Sequence, residues 1–352
     1  MKKTKSLLIS LSFVVAVSFS ANSRSDTQPL QYVILISVDG LLPSAITKLG
    51  ASELPGFYRF RNEGAWTDNA RTDYDYTRTL PNHASIISAR RVLGEDGHGQ
   101  TLNDMPAVTT TLHNNTGEES YVSSLFDVAH DAGLSTALYA SKDKFILFAQ
   151  SYNAENGAED LVDQNDGKNK IDRYTFLQEN RAAQVLVDRF VEDMSNDPFN
   201  LSMIHLLDPD AAGHGENWQS DNYYAAVKRV DRYLQTIFSL VENSTSLNGH
   251  TAIVLVADHG GSGQAHSDEK NPLNYTTPFY VWGEGVAQGI DLYALNKTTR
   301  KDPATSRPDY QSKPQPIRNS DAANLVLMLL GLASIPDNAA QINAQQDLKV
   351  TD

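Results

Sequence analysis

Short runs of apolar residues alternate along this chain with longer amphipathic stretches, and several of the runs stop abruptly at an acid. Tyr32–Val38 (YVILISV) and the run Ile253, Val254, Leu255, Val256 are apolar on both faces, as buried parallel strands are. Residues 135–140 and 201–207 read the same way, and 64–72 and 278–282 predict further strands. Residues 54–63, 121–132, 173–194, 218–241 and 320–332 carry helical spacing. Strands alternating with helices predict an α/β fold, a three-layer sandwich around a mainly parallel central sheet. We expect a single domain over residues 24–352, with cap or loop insertions around 104–120 and 146–172, where polar and turn-forming residues dominate.

The ends of these strands hold the chemistry. The first run ends in Asp39-Gly40, the run 201–207 in Asp208-Pro209-Asp210 with His214 four residues on, and the run at 253–256 in Ala257-Asp258-His259-Gly260-Gly261 with His266 following. Open α/β sheets keep their ligands at the carboxyl ends of strands. Clustered carboxylate and imidazole ligands suit zinc, with other divalent cations possible. An unpaired cluster of buried carboxylates would be very unfavourable, and cations relieve it. Six or seven such ligands are too many for one zinc and about right for two. Thr79 precedes Pro81 at the start of a helix-like stretch, where threonine is a favoured cap. Beside a metal, the same hydroxyl would be an activated nucleophile. Lys142 and Lys144 follow the strand at 135–140; they are either solvated or anion contacts at the mouth of the site.

Residues 1–23 have a basic start (Lys2, Lys3, Lys5), an apolar core and small residues after it, which is the grammar of a signal peptide. The expectation is a periplasmic or secreted protein with no stable membrane association after cleavage. A net charge of −14 argues against long nucleic acid as a partner. Cysteine is absent, so disulfides and thiolate metal sites are excluded.

Taken in order, Ser37-Val38-Asp39-Gly40, Thr79-Leu80-Pro81-Asn82-His83, Asp210-x-x-Gly213-His214, Ala257-Asp258-His259-Gly260 and the closing Leu330-Gly331-Leu332 resemble the alkaline phosphatase superfamily. The type I phosphodiesterase/nucleotide pyrophosphatase branch is the most similar. The resemblance implies an alkaline phosphatase-like fold and two zinc sites. Asp39, Asp258 and His259 would form one, with the Thr79 hydroxyl on its open position. Asp210, His214 and a third histidine would form the other. His266 is the only histidine after His259, so either it fills that place or the site is incomplete. Asn103 matches the residue that steadies the transferring phosphoryl oxygens. The implied activity is hydrolysis of a small phosphate ester such as a nucleotide, through a phosphothreonine on Thr79. A phosphomonoesterase or phosphonate hydrolase is the alternative, since a Lys-Asp-Lys piece like Lys142-Asp143-Lys144 occurs in such relatives. For a diesterase, Phe145, Phe148 and Tyr152 are candidates for an aromatic pocket. A metal-dependent binding protein without catalysis is the reading outside enzymes. The sulfatase branch is disfavoured, because its nucleophile derives from Cys or Ser and Thr79 stands there.

Overall fold

Runs that are apolar on both faces are shielded from water only between two layers of helices, and that is where they lie. The computed structural model describes residues 29–115, 120–160, 167–336 and 341–351. The targeting segment expected at 1–23 lies outside them. The strands are β1 (Tyr32–Val38), β2 (Ala65–Arg71), β3 (Thr136–Ala140), β4 (Arg173–Phe176), β5 (Leu201–Leu206), β6 (Thr251–Val256), β7 (Thr276–Gly283) and β8 (Ile290–Asp291). They form one sheet of eight in the order β4-β3-β5-β1-β6-β7-β2-β8. Only β7 runs against its neighbours. β1 is central, parallel to β5 on one side and β6 on the other.

Alternate residues of β1 feed two cores. Val33 and Leu35 pack with Ile86, Phe126 and Leu325 on one face. Ile34, Ile36 and Val38 pack with Phe60, Leu234 and Phe238 on the other. This is the three-layer α/β sandwich the patterning predicts. The long helix Asp221–Asn243 is capped by Ser220 and covers the second face, while Asp321–Leu329 covers the first. No helix among the described residues is long and apolar enough to cross a membrane.

Three sequence expectations need correction. Residues 173–194 are not one helix. Tyr174, Thr175 and Phe176 are good strand formers and extend the sheet as β4, and Asn180 and Arg181 then take left-handed backbone before the helix Gln184–Asn196. The helix expected over 121–132 is Leu125–Asp131, because Ser124 and Asp127 make a capping box there. The insertion expected at 146–172 begins inside the core. Helix Ile146–Ser151 buries Leu147 and Phe148, and Phe145 and Tyr152 are fully buried beside it. These aromatics are therefore packing, not an open pocket.

Gly40 follows β1 and lies against the start of the helix Asp208–Glu216. Its φ is +69°, and a Cβ there would lie 2.9 Å from the Asp210 Cα. Both the backbone conformation and the close approach demand glycine. Gly40→Ala should lower the unfolding free energy by at least about 1–2 kcal/mol. Urea denaturation checks this, and an unchanged midpoint would mean that the Gly40–Asp210 approach does not matter to stability.

Candidate active site

Since β5, β1 and β6 are adjacent and parallel, the residues that follow them converge at one end of the sheet. Asp39 and Asp258 are fully buried, and Asp210 is 3% exposed. Asp39, Asp258 and His259 have ligand atoms close enough to hold one ion, as do Asp210, His259 and His266. His214 joins the second group from one helical turn beyond Asp210, its Nε2 3.4 Å from Asp210 Oδ1 and 3.2 Å from His266 Nε2. It is the one exposed member, at 42% of its side chain. The His259 and His266 rings stack, with centroids 3.7 Å apart.

The hydrogen bonds show what these atoms can accept. His259 Nδ1 donates to the Gly260 carbonyl at 2.8 Å, His214 Nδ1 to Gln264 at 2.9 Å, and His266 Nδ1 to Thr77 at 2.6 Å. Each ring is thereby fixed in the tautomer that presents an Nε2 lone pair, the usual state of a metal-binding imidazole. The 3.2 Å contact between His214 and His266 Nε2 thus sets lone pair against lone pair, an arrangement that calls for a shared cation. Asp39 Oδ1, Asp210 Oδ1, Asp258 Oδ2 and His259 Nε2 are buried without a hydrogen-bond partner. Buried polar atoms are almost always partnered, so four orphans at one point fit divalent cations well.

The charges agree. Burial pushes Asp39 up, but Lys142, the His205 hydrogen bond and His259 outweigh it and hold the carboxyl well below the usual range. Burial and then the Asp39 charge push Asp258 well above it. Burial, reinforced by His266, keeps His259 neutral far below its ordinary range.

Thr79 is the first residue of the helix Thr79–Ser88, not its cap. Arg78 holds the cap position with extended backbone, and no side chain caps from there. The capping task falls to Asn103, whose Oδ1 accepts the Leu80 N–H at 2.8 Å. Thr79 Oγ1 is left free of the capping task and lies 3.4 Å from Lys142 Nζ. Lys142 is not at the mouth of the site, as its loop position suggested, but inside it, 2.6 Å from both Asp39 Oδ2 and Asp210 Oδ2. The attraction of two unscreened carboxylates draws it in. Lys144 Nζ lies 3.1 Å from both Asn103 Oδ1 and the Asn103 carbonyl. With Oδ1 occupied, the Asn103 amide nitrogen is the donor left over.

Two buried histidines support this set, and sequence reasoning passed over both. His205, inside β5, donates from Nε2 to Asp39 Oδ2 at 2.9 Å, and its Nδ1 lies 3.0 Å from Ser141 Oγ. His83 donates from Nδ1 to the Thr79 carbonyl at 2.8 Å and accepts from Ser37 Oγ at 2.7 Å. Phe145 packs on both imidazoles, its ring 4.7 Å from His83 and 4.2 Å from His205. The available signal was a histidine, His205, inside a mostly apolar strand that ends just before Asp208.

Fold and site together define an α/β protein of alkaline phosphatase-like architecture, with buried groups able to hold metal at the carboxyl end of its sheet. The profile of the family "Type I phosphodiesterase / nucleotide pyrophosphatase" matches residues 33–310, and the chain belongs to that family. Among curated proteins it is similar to GPI ethanolamine phosphate transferase 1 of Emericella nidulans, 27% identical over 60% of this chain and 21% of that protein. The same transferase of Schizosaccharomyces pombe is 24% identical over 89% of this chain and 33% of its own length. The chain thus spans a fifth to a third of these two relatives. Among solved structures, murine ectonucleotide pyrophosphatase/phosphodiesterase 5, an inactive threonine-to-alanine variant in complex with AMP, superposes with a TM-score of 0.61 at 14% identity, over 91% of this chain and 100% of that one. An alkaline phosphatase superfamily protein from Vibrio parahaemolyticus gives 0.57 at 12% identity, over 90% of this chain and 69% of that one. At these identities the structural likeness speaks for the fold.

His205→Ala should leave the fold intact while weakening zinc binding by about 10- to 100-fold, since it removes the hydrogen bond that orients a candidate ligand. Competition against a fluorescent zinc chelator measures this. Unaltered affinity would leave His205 as packing alone.

Proposed function

We propose that this chain catalyses metal-dependent cleavage of small phosphate esters, diesters first, with Thr79 as the nucleophile. One observation carries the reading: a buried threonine hydroxyl at a helix start lies 3.4 Å from Lys142 Nζ, which is itself 2.6 Å from both Asp39 and Asp210, in a cluster where Asp39 Oδ1, Asp210 Oδ1, Asp258 Oδ2 and His259 Nε2 have no hydrogen-bond partner. Two zinc ions, held by Asp39, Asp258 and His259 and by Asp210, His214 and His266, would supply Lewis acidity at the entering and leaving oxygens. Thr79 Oγ1 attacks phosphorus at the helix N-terminus, where positive field favours a developing anion; the bond to the ester alcohol breaks, and the alcohol leaves with a proton that balances the one Thr79 gives up. Lys142, beside that oxygen, and the Asn103 amide bind the non-bridging oxygens in this reading, which their contacts at Thr79 and at the Leu80 N–H support. Lys144 holds the Asn103 side chain in place. Water then displaces Thr79 from the phosphothreonine and restores the hydroxyl. The N-terminal pattern at 1–23 supports a periplasmic or secreted site of action.

The second reading is transfer instead of hydrolysis: the phosphothreonine passes to an alcohol. The curated relatives favour it, because the two described above are both called ethanolamine phosphate transferases. The murine phosphodiesterase, described in complex with AMP, supports nucleotide-type diesters for the first.

Thr79→Ala should reduce turnover by roughly 10³-fold or more while zinc content and melting temperature stay near wild type. Wild-type activity in that variant would remove the mechanism. Monoester and diester substrates with one shared leaving group decide substrate class. A diester preference that survives Lys144→Ala supports a diesterase. A monoester preference that falls by about 10²-fold in that variant would replace it with a phosphomonoesterase, since a charge-assisted contact is worth up to about 3 kcal/mol.

A further inference from the structure

Asn319 is fully buried, just before the helix that closes the first core, and the segment that carries it is pinned to the end of β2. Arg71 donates its N–H to the Ile317 carbonyl, and Asn319 donates its own to the Arg71 carbonyl, each at 2.9 Å. Arg318, 1% exposed, adds a guanidinium bond to the Thr72 carbonyl at 3.0 Å. Asn319 is thus held by stiff backbone at the point where the loop to Thr79 departs from the sheet.

Its side-chain nitrogen meets three oxygens. Asn82 Oδ1 lies at 3.0 Å, the Asp258 carbonyl at 3.1 Å and the Ala257 carbonyl at 3.3 Å. Carbonyls only accept, so these contacts demand the nitrogen and fix which way the Asn319 amide points. Asn82 is also fully buried, on the helix that begins at Thr79, and it passes the connection on. Its Oδ1 accepts in addition from the Asp73 N–H at 3.0 Å. Its Nδ2 donates to the carbonyls of Tyr76 at 2.8 Å and Arg78 at 3.2 Å. The Arg78 carbonyl takes the Asn82 N–H as well, at 3.1 Å. Two amides in series therefore join the peptide that leads into Thr79 to both peptides that flank Asp258. Asn319 Oδ1, by contrast, is buried without a partner. An unpaired buried oxygen works against stability, so packing alone does not account for asparagine here.

We propose that Asn319 is a positioning residue for the reaction at Thr79: through Asn82 it sets where the nucleophile stands relative to Asp258 and His259. The inference rests on the reading of Thr79 as the nucleophile and deepens it. Lys142 and Asn103 are held by other contacts, to Asp39 and Asp210 and to the Leu80 N–H and Lys144. Loss of the Asn319 link should therefore spare substrate binding and slow the chemical step.

The test is steady-state hydrolysis of bis(4-nitrophenyl) phosphate by the zinc-loaded protein. Asn319→Ser cuts the link, and the isosteric Asn319→Asp sets an oxygen against three others. Each should lower kcat by roughly 10²-fold, the effect of about 1 Å of misplacement, with KM within about 2-fold of wild type and zinc content unchanged. Phe238→Leu, in the second core, is the stability control: it should lower the melting temperature and leave kcat as it was. Asn82→Ser and the Asn82→Ser/Asn319→Ser pair complete a double-mutant cycle. The two residues form one link, so the pair should lose scarcely more kcat than either variant alone. Should neither Asn319 variant fold, Asn82→Ser breaks the same link from its other end and must show the same split between kcat and KM. Additive losses, a raised KM with kcat unchanged, or zinc lost in step with kcat would each overturn the positioning role. An inactive Thr79→Ala beside an Asn319→Ser of wild-type kcat would overturn that role alone. A Thr79→Ala as active as wild type would overturn the nucleophile reading and this inference together.

Discussion

Three carboxylates, Asp39, Asp210 and Asp258, lie almost wholly out of water at one end of the sheet, and the rest of the architecture answers to them. Taking one carboxylate out of water is strongly unfavourable unless it is paired, and like charges in a low dielectric compound the penalty. Among the described residues, only Lys142 is ion-paired with them as a full positive charge, to Asp39 and Asp210. Asp258 is the carboxyl driven towards its neutral form. Such a cluster makes sense as the binding set for cations. Its formation is dictated by topology: β5, β1 and β6 are neighbours, so whatever follows them meets.

Holding such a site open is a mechanical problem, solved by backbone and by one indole. Trp218 donates from Nε1 to the Gly40 carbonyl at 2.9 Å, and Tyr223 donates its hydroxyl to the same oxygen. A Cβ on Gly213 or Gly261 would lie within 2.4 Å or 2.1 Å of the Trp218 ring. The loops after β1, β5 and β6 are thus locked around one side chain. The carbonyls of Thr77, Gln264 and Gly260 then set the three imidazole tautomers. Groups fixed by stiff backbone need little reorganisation when charge develops beside them, which is the advantage of a preorganised site.

Much of this was legible along the chain, and the reasons are local. A run apolar on both faces that stops dead at Asp39 or Asp258 can hardly be anything but a buried strand ending at a site. The alternation of strand and helix then gives the sheet. What stayed hidden depends on register or on long-range attraction. His205 sits between Ile204 and Leu206 and reads as strand interior; only the pairing of Ser37 with His205 brings it to Asp39. Lys142 reads as a solvated loop lysine, because its partners are 103 and 68 residues away in sequence. Residues 173–194 read as a helix because the strong helical pattern of their second half masks a short strand, which forms only where β3 offers an edge. The cap role given to Thr79 failed for a related reason: Asn103, remote in sequence, supplies the acceptor.

On the proposed mechanism, hydrolysis and transfer differ only in which hydroxyl reaches phosphorus after the leaving group departs. Thr79, Asn103 and Lys142 are at one side of that event and serve both outcomes equally. The other side is bounded by His214, the exposed member of the ligand set, so the approach to it is open to solvent. Water at bulk concentration wins such a competition unless an alcohol is bound in place, because effective molarity favours only a positioned acceptor.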